Sequence, residues 1–264
     1  MELAAAMAAV GVVAGLLAGL LGVGGGIVTV PVLSIVLGVL GVDPGLSMHV
    51  AVGTSLGAII PTSIVSARSH RARGGVQIEL LWLWGPAIFI GACCGALAAG
   101  QMRGPTLNAI FAVGAFAVAI YMLVAREPST GDQSPGRGLQ RVIASAIGAL
   151  STMMGIGGGT FTVPVLTGFG TAVRQAVGTS AALGIVISIP GTIGFMASGW
   201  GEPNLPPFSL GYVNMIGVGL LVPMAMTFAP VGARLAHRIS PRHLRFAFAA
   251  FLLATAAKMA ATFL

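Results

Sequence analysis

The sequence predicts an all-α, polytopic integral membrane protein made of two inverted repeats, each holding a glycine-broken re-entrant helical hairpin plus three transmembrane helices. Three observations predict it. Of the 264 residues, 56% are hydrophobic and only 7% charged. Apolar runs of spanning length recur along the chain, and two glycine clusters with matching surroundings lie at a constant offset.

An ordinary soluble domain carries roughly 25% charged residues. Thirteen basic and six acidic side chains cannot clothe a soluble globule of this length. The 40 glycines sit inside apolar runs without a Gly-X-Y period, which excludes a collagen-like or low-complexity chain. A net charge of +7 would suggest nucleic acid in a soluble protein, but these basic residues are few and lie in short loops, so orientation in a membrane explains them and no nucleic-acid partner is expected. Cys93 and Cys94 are adjacent within an apolar run and imply no disulfide framework; their role stays open. Met1-Glu2-Leu3 lacks the basic start of a secretory signal, so the first apolar stretch is expected to stay in the mature protein.

In chain order, the first glycine-broken region covers Leu3 to Leu40. Three runs follow, Leu46 to Ala67, Val76 to Gly100 and Thr106 to Ala125, each near or beyond the ~20 residues that cross a bilayer as helix. A polar stretch from Arg126 to Arg141, rich in Pro, Gly and Ser, reads as a cytoplasmic linker between a first repeat (1–125) and a second (142–264). The second repeat opens with another glycine-broken region, Val142 to Phe169. Val177 to Gly199, Phe208 to Ala233 and Phe246 to Leu264 complete it, giving six full crossings.

The broken regions are copies of one another. LLGVGGGIVTVPVL (Leu20 to Leu33) and TMMGIGGGTFTVPVL (Thr152 to Leu166) align Gly22 with Gly155, Gly24 to Gly26 with Gly157 to Gly159, Thr29 with Thr162, and Pro31 with Pro164. A second shared block, AVGTS, stands at Ala51 to Ser55 and at Ala176 to Ser180.

Loop charge decides how each broken region threads the membrane. One crossing each would divide the 13 basic residues seven to six, against the positive-inside bias. If each region turns back at its glycines, Arg68, Arg71, Arg73, Arg126, Arg137, Arg141, Arg174, Arg234, Arg238, Arg242 and Arg245 share one side, with Arg103 and Lys258 opposite. Thr160 to Phe169 as helix is ~15 Å long, half a membrane. Each half then makes three crossings, so the second half is inverted and both termini lie outside.

The paired GGG-x-x-x-x-P motifs, the paired AVGTS blocks and the duplicated architecture together resemble the TauE/SafE family of sulfite and sulfonate permeases. The resemblance runs through the full chain. It implies a bacterial inner-membrane permease for small sulfur-containing anions such as sulfite, thiosulfate or organosulfonates, so that the outside, where loop charge places both termini, is the periplasm. Exact substrate, direction, coupling ion and oligomeric state stay open, a homo-oligomer included. The expected partners are that anion and the lipid bilayer; no cofactor, metal ligand or catalytic residue is assigned.

Re-entrant half-helices place free N–H groups and the positive end of a helix dipole inside the bilayer. Gly24, Gly25, Gly26, Gly157, Gly158 and Gly159 are therefore the expected anion cradle, competing with a role in tight turns alone. Hydroxyls of Thr54, Ser55, Thr179 and Ser180, and of Thr29 and Thr162, are candidate donors to substrate oxygens, although membrane-helix hydroxyls also bond the preceding turn. His49 aligns with Arg174, and the two are candidate vestibule cations at opposite mouths. No acidic residue falls deep in a span, so a carboxylate proton relay is not expected. Trp82, Trp84 and Trp200 fit interfacial belts, and small-residue series at Gly11, Gly15 and Gly19, at Gly53 and Gly57, and at Gly91 and Gly95 should bring helices close.

An anion channel shares every feature used so far. GTSLG (Gly53 to Gly57) matches the G-x-S-x-G elbow of serine hydrolases, but it sits in a continuous apolar run, so an intramembrane hydrolase is the weaker alternative.

Overall fold

The computed structural model describes residues 2–21, 25–124, 134–236 and 241–260. It is an all-α bundle with one short hairpin. The helices are α1 (Glu2–Leu21), α2 (Gly26–Val39), α3 (Pro44–Ala72), α4 (Ile78–Gln101), α5 (Gly104–Val124), α6 (Arg137–Met153), α7 (Gly159–Gly168), α8 (Val173–Ser198), α9 (Met215–Ala236) and α10 (Pro241–Ala260). Strands β1 (Ser209–Leu210) and β2 (Val213–Asn214) pair antiparallel between α8 and α9. Among the described residues, α3, α4, α5, α8 and the Met215–Gly232 part of α9 are long and apolar enough to cross a membrane.

Local sequence sets the ends. Asp43 accepts the Gly45 N–H at 2.6 Å and Pro44 occupies the first position of α3, where a missing N–H costs nothing. At the other end Gly74 takes φ +67° and turns the chain toward α4. Pro31, Pro61, Pro86, Pro164 and Pro190 lie inside helices, a placement that membrane helices tolerate where neighbours satisfy the freed carbonyls.

Two expected boundaries move. The fifth run does not begin as helix at Phe208: Phe208 and Gly211 hold φ of +62° and +54°, a conformation no helix contains, and the chain folds into β1–β2 before α9 starts at Met215. Helix α6 starts at Arg137, inside the stretch read as linker, whose residues 126–133 lie outside the described ones.

Helix directions follow from which residues abut. Gly53 packs against Phe195, Gly191 against Leu56, Gly184 against Ser63 and Gly178 against His70, so α3 and α8 are antiparallel. Thr54 meets Asn214 and Gly217, and Gly57 meets Val218, so α9 runs with α3. Gly11 meets Leu221 and Met224 while Gly15 meets Ala225, so α1 runs with α9. Conversely Gly91 lies on Ser145, Gly95 on Ala149, Ala96 against Gly194 and Gly100 against Ser198, so α6 and α8 run with α4. Helices α1, α3 and α9 thus point one way, and α4, α6 and α8 the other.

The close approaches are glycine-made, as the small-residue series led one to expect. A methyl at Gly95 would stand 2.5 Å from the Ala149 carbonyl oxygen, and one at Gly15 would stand 2.7 Å from the Ala225 Cα. Backbone-to-backbone contact of this kind supplies the dispersion energy that replaces the hydrophobic effect inside a membrane. Trp84 is a correction to the belt reading: it is fully buried, donates from Nε1 to Gln140 Oε1 at 3.0 Å and sits edge-on to Phe169. Trp82 and Trp200 are exposed, 78% and 75%, as an interfacial position requires.

Candidate functional site

The two glycine clusters meet. Gly26, the first residue of α2, lies against the carbonyl of Gly155 and the Cα of Ile156, where a methyl would stand 2.7 and 3.0 Å away. Gly155 itself, at φ +66°, is wedged between Val30 and Val52, in a turn only glycine takes without strain. Gly158 caps α7 and lies on the Ser180 carbonyl and the Gly184 nitrogen of α8. The N-termini of α2 and α7, one from each half, therefore converge on the α3–α8 crossing. Gly24 lies outside the described residues.

Both N-caps, Gly25 and Gly158, lack a side-chain cap, so first-turn amides of α2 and α7 have no side-chain acceptor in place at their caps. Gly25, Gly157 and Gly159 keep partial exposure, whereas Gly26, Gly155, Ile156 and Gly158 are buried. A methyl at Gly157 would touch only the Ile59 side chain, at 3.5 Å or more. Space at the junction is thus next to Gly157.

The hydroxyls divide into two groups. Ser55 Oγ donates to the Gly155 carbonyl at 2.8 Å, joining α3 to the second cluster. Thr29 donates to Gly25 O at 2.9 Å, one turn back in its own helix. Thr54 Oγ1 accepts the Asn214 N–H and Thr179 Oγ1 accepts the Gln77 N–H, each at 3.0 Å. Asn214 immediately precedes α9 and Gln77 immediately precedes α4, so each AVGTS threonine anchors the start of a helix packed beside it. Ser180 and Thr162, by contrast, are 1% and 0% exposed, and neither hydroxyl has a hydrogen-bond partner among the described residues. Ser151 and Thr152, ending α6 just before the second cluster, are buried and unpartnered likewise.

A buried donor without an acceptor costs about 1–3 kcal/mol, and such groups mark places where a ligand or water completes the set. Four of them stand on either side of the second glycine cluster. Sequence reading missed Ser151 and Thr152, and it missed Asn214 and Gln77 as threonine partners. Contacts 160 and 102 residues apart in the chain leave no local pattern to find.

The vestibule candidates lie elsewhere. His49 is only 4% exposed; its Nδ1 is 3.2 Å from Gly45 O, its Nε2 is 3.1 Å from Met102 O, and Tyr212 stacks obliquely on it at 4.8 Å. Burial, and secondarily the Glu202 carboxylate, holds the Tyr212 phenol above its ordinary pKa of 10.0. Arg174 is exposed and donates to the Arg73 carbonyl. Cys93 is half-buried and Cys94 exposed, both free. Ser55 sits within continuous helix α3, not at the strand-to-helix turn that a hydrolase elbow requires.

Comparison with known proteins places the chain. A family model described as sulfite exporter TauE/SafE matches residues 7–259. A probable membrane transporter protein of Haemophilus influenzae is 34% identical over 251 residues, 95% of each chain. One of Methanocaldococcus jannaschii is 27% identical, covering 92% of this chain and 90% of its own. One of Bacillus subtilis is 25% identical over 70% of this chain and 76% of its own. No solved structure matches. With the match running through both glycine clusters and both AVGTS blocks, the chain belongs to the TauE/SafE sulfite exporter family.

Proposed function

We propose that the protein is a permease for small sulfur-containing anions such as sulfite, thiosulfate or organosulfonates, working by alternating access around the junction of α2 and α7. The observation that carries this reading is the pair of converging helix N-termini beside buried Ser180 and Thr162, whose hydroxyls have no hydrogen-bond partner among the described residues. N–H groups and hydroxyls are donors, and donors enclosed away from water call for an acceptor with several oxygens. A sulfonate or sulfite group has three. Gly25, Gly26, Gly157, Gly158 and Gly159 let the ligand approach the amides, while Ser55 fixes the Gly155 turn that leads into α7.

The two halves are inverted in this reading. Helices α3 and α8 carry the same AVGTS block and run antiparallel; α1 and α6, and α4 and α9, likewise point opposite ways. Opposite directions in matching helices are what an in-plane pseudo-twofold axis generates, and the distribution of basic residues agrees with it. Both termini then face the periplasm of a bacterial inner membrane. Exchange of the two half-sites offers a symmetric route to inward and outward openings.

Purified protein in proteoliposomes tests the reading against sulfite, thiosulfate, methanesulfonate and sulfoacetate, with chloride and acetate as non-sulfur controls. Saturable uptake with counterflow of at least one sulfur anion is expected. Movement of none of them would overturn the substrate class, and flux without counterflow would assign a channel instead.

A further inference from the structure

Because α4 and α6 run parallel, their first turns open side by side on one face of the molecule. Between them lies a cavity of about 770 Å³, separate from the glycine junction, whose lining includes Ile78, Glu79, Trp82, Leu83, Arg137 and Arg141. Arg137 and Arg141 are one helical turn apart and both exposed, so their guanidinium groups address the same space. Among the described residues no hydrogen bond or ion pair ties either of them down. Among the described residues Glu79 is the single acid in the lining, set against the two arginines. At the repeat offset the equivalent positions of the first half are Ala4 and Ala8, so packing of this helix does not demand arginine.

Apart from Gln77, whose side-chain amide donates to Gln175 Oε1, the rest of the described lining is apolar. Ile78 is 47% exposed and Trp82 78%, an arrangement suited to the headgroup level, where an indole lies between water and acyl chains. We propose that this cavity binds the phosphate of an anionic phospholipid, held between Arg137 and Arg141, with the glycerol and upper acyl chain along Ile78, Trp82 and Leu83. A phosphate diester suits the planar, multi-donor guanidinium geometry. A soluble phosphate would use the arginines and leave the exposed apolar wall without a partner. The lipid binds on this account irrespective of what the glycine junction transports.

Native mass spectrometry of the full chain, released from mixed phosphatidylcholine and phosphatidylglycerol micelles, tests it. The wild type is expected to retain phosphatidylglycerol, and Arg137→Gln/Arg141→Gln to lose retention roughly tenfold, in line with the usual strength of basic residues at an anionic surface. Arg68→Gln/Arg71→Gln, which removes the same charge outside the cavity, should retain lipid as the wild type does. Thermal unfolding identifies any variant that fails to fold, and Trp82→Ala then serves as the second probe, with weakened retention expected. Equal retention in the Arg137/Arg141 and wild-type proteins, or equal loss in the Arg68/Arg71 control, would overturn the site. Displacement of the lipid by inorganic phosphate at matched concentration would overturn the lipid assignment in favour of a soluble oxyanion.

Discussion

Ser55 in the first half donates a 2.8 Å hydrogen bond to the carbonyl of Gly155 in the second, while Ser180, its counterpart in the repeated block, is equally buried and has no partner among the described residues. Two serines that sequence makes equivalent are thus chemically distinct. One holds the glycine turn; the other has no hydrogen bond committed among the described residues.

Alanine separates the two roles. Ser55→Ala leaves the buried Gly155 carbonyl without its donor and should cost about 1–3 kcal/mol, lowering the melting temperature in detergent by several degrees. Ser180→Ala breaks no hydrogen bond among the described residues. It should melt no lower than the wild type and raise the KM for the transported anion roughly tenfold, the effect of losing one hydrogen bond to a charged group.

The glycines of the second cluster are not interchangeable. A methyl at Gly158 would stand 2.5 Å from the Ser180 carbonyl oxygen, backbone that cannot yield, so Gly158→Ala should abolish transport and destabilise the fold together. At Gly157 the methyl meets only Ile59 carbons at ordinary contact distance. Gly157→Ala should therefore fold normally while occupying space at the junction, and transport rates should fall with the melting temperature unchanged.

Thr54 and Thr179 anchor the starts of α9 and α4 by accepting backbone N–H groups. Replacing either with valine preserves shape and removes the acceptor, costing about 1 kcal/mol, as loss of a cap does. Thermal unfolding of Thr54→Val and Thr179→Val should show similar decrements.

Tyr212 titrates late because burial, and then the Glu202 charge, disfavours its phenolate. The folded pKa lies above the unfolded value of about 10, so the folded state holds the proton longer. Stability linked to this group is fully present below that value and is lost as pH rises through the folded one. In a Tyr121→Phe background, ultraviolet titration should find Tyr212 ionising above the free phenol, and Glu202→Gln should bring it down.

Much of this architecture was legible because membrane folding leaves coarse marks. Near-spanning apolar runs located α3, α4, α5 and α8 to within a few residues, and glycine spacing in α1 and α4 marked where backbones touch. Phe208 to Asn214 misled because a hairpin half-buried beside helices is as apolar as a helix; the φ values at Phe208 and Gly211 betray it. Trp84 misled because its position two residues from Trp82 suggests a shared belt, yet positions two apart lie on different faces of a helix. At the site, the repeat pointed to the glycine clusters and the serines. It could not say that Thr54 and Thr179 reach across to Asn214 and Gln77, nor that Ser151 and Thr152 stand beside the second cluster with no partner among the described residues.

An anion held at the glycine junction must feel a methyl added there. Equilibrium binding of radiolabelled sulfite to the purified protein tests it most directly, comparing Gly157→Ala with Gly219→Ala, a glycine around which a methyl meets nothing within 4 Å. Binding is expected to weaken roughly tenfold or more for Gly157→Ala, through loss of close approach to the helix amides, and to match the wild type for Gly219→Ala. Undiminished sulfite binding by a folded Gly157→Ala protein would contradict it.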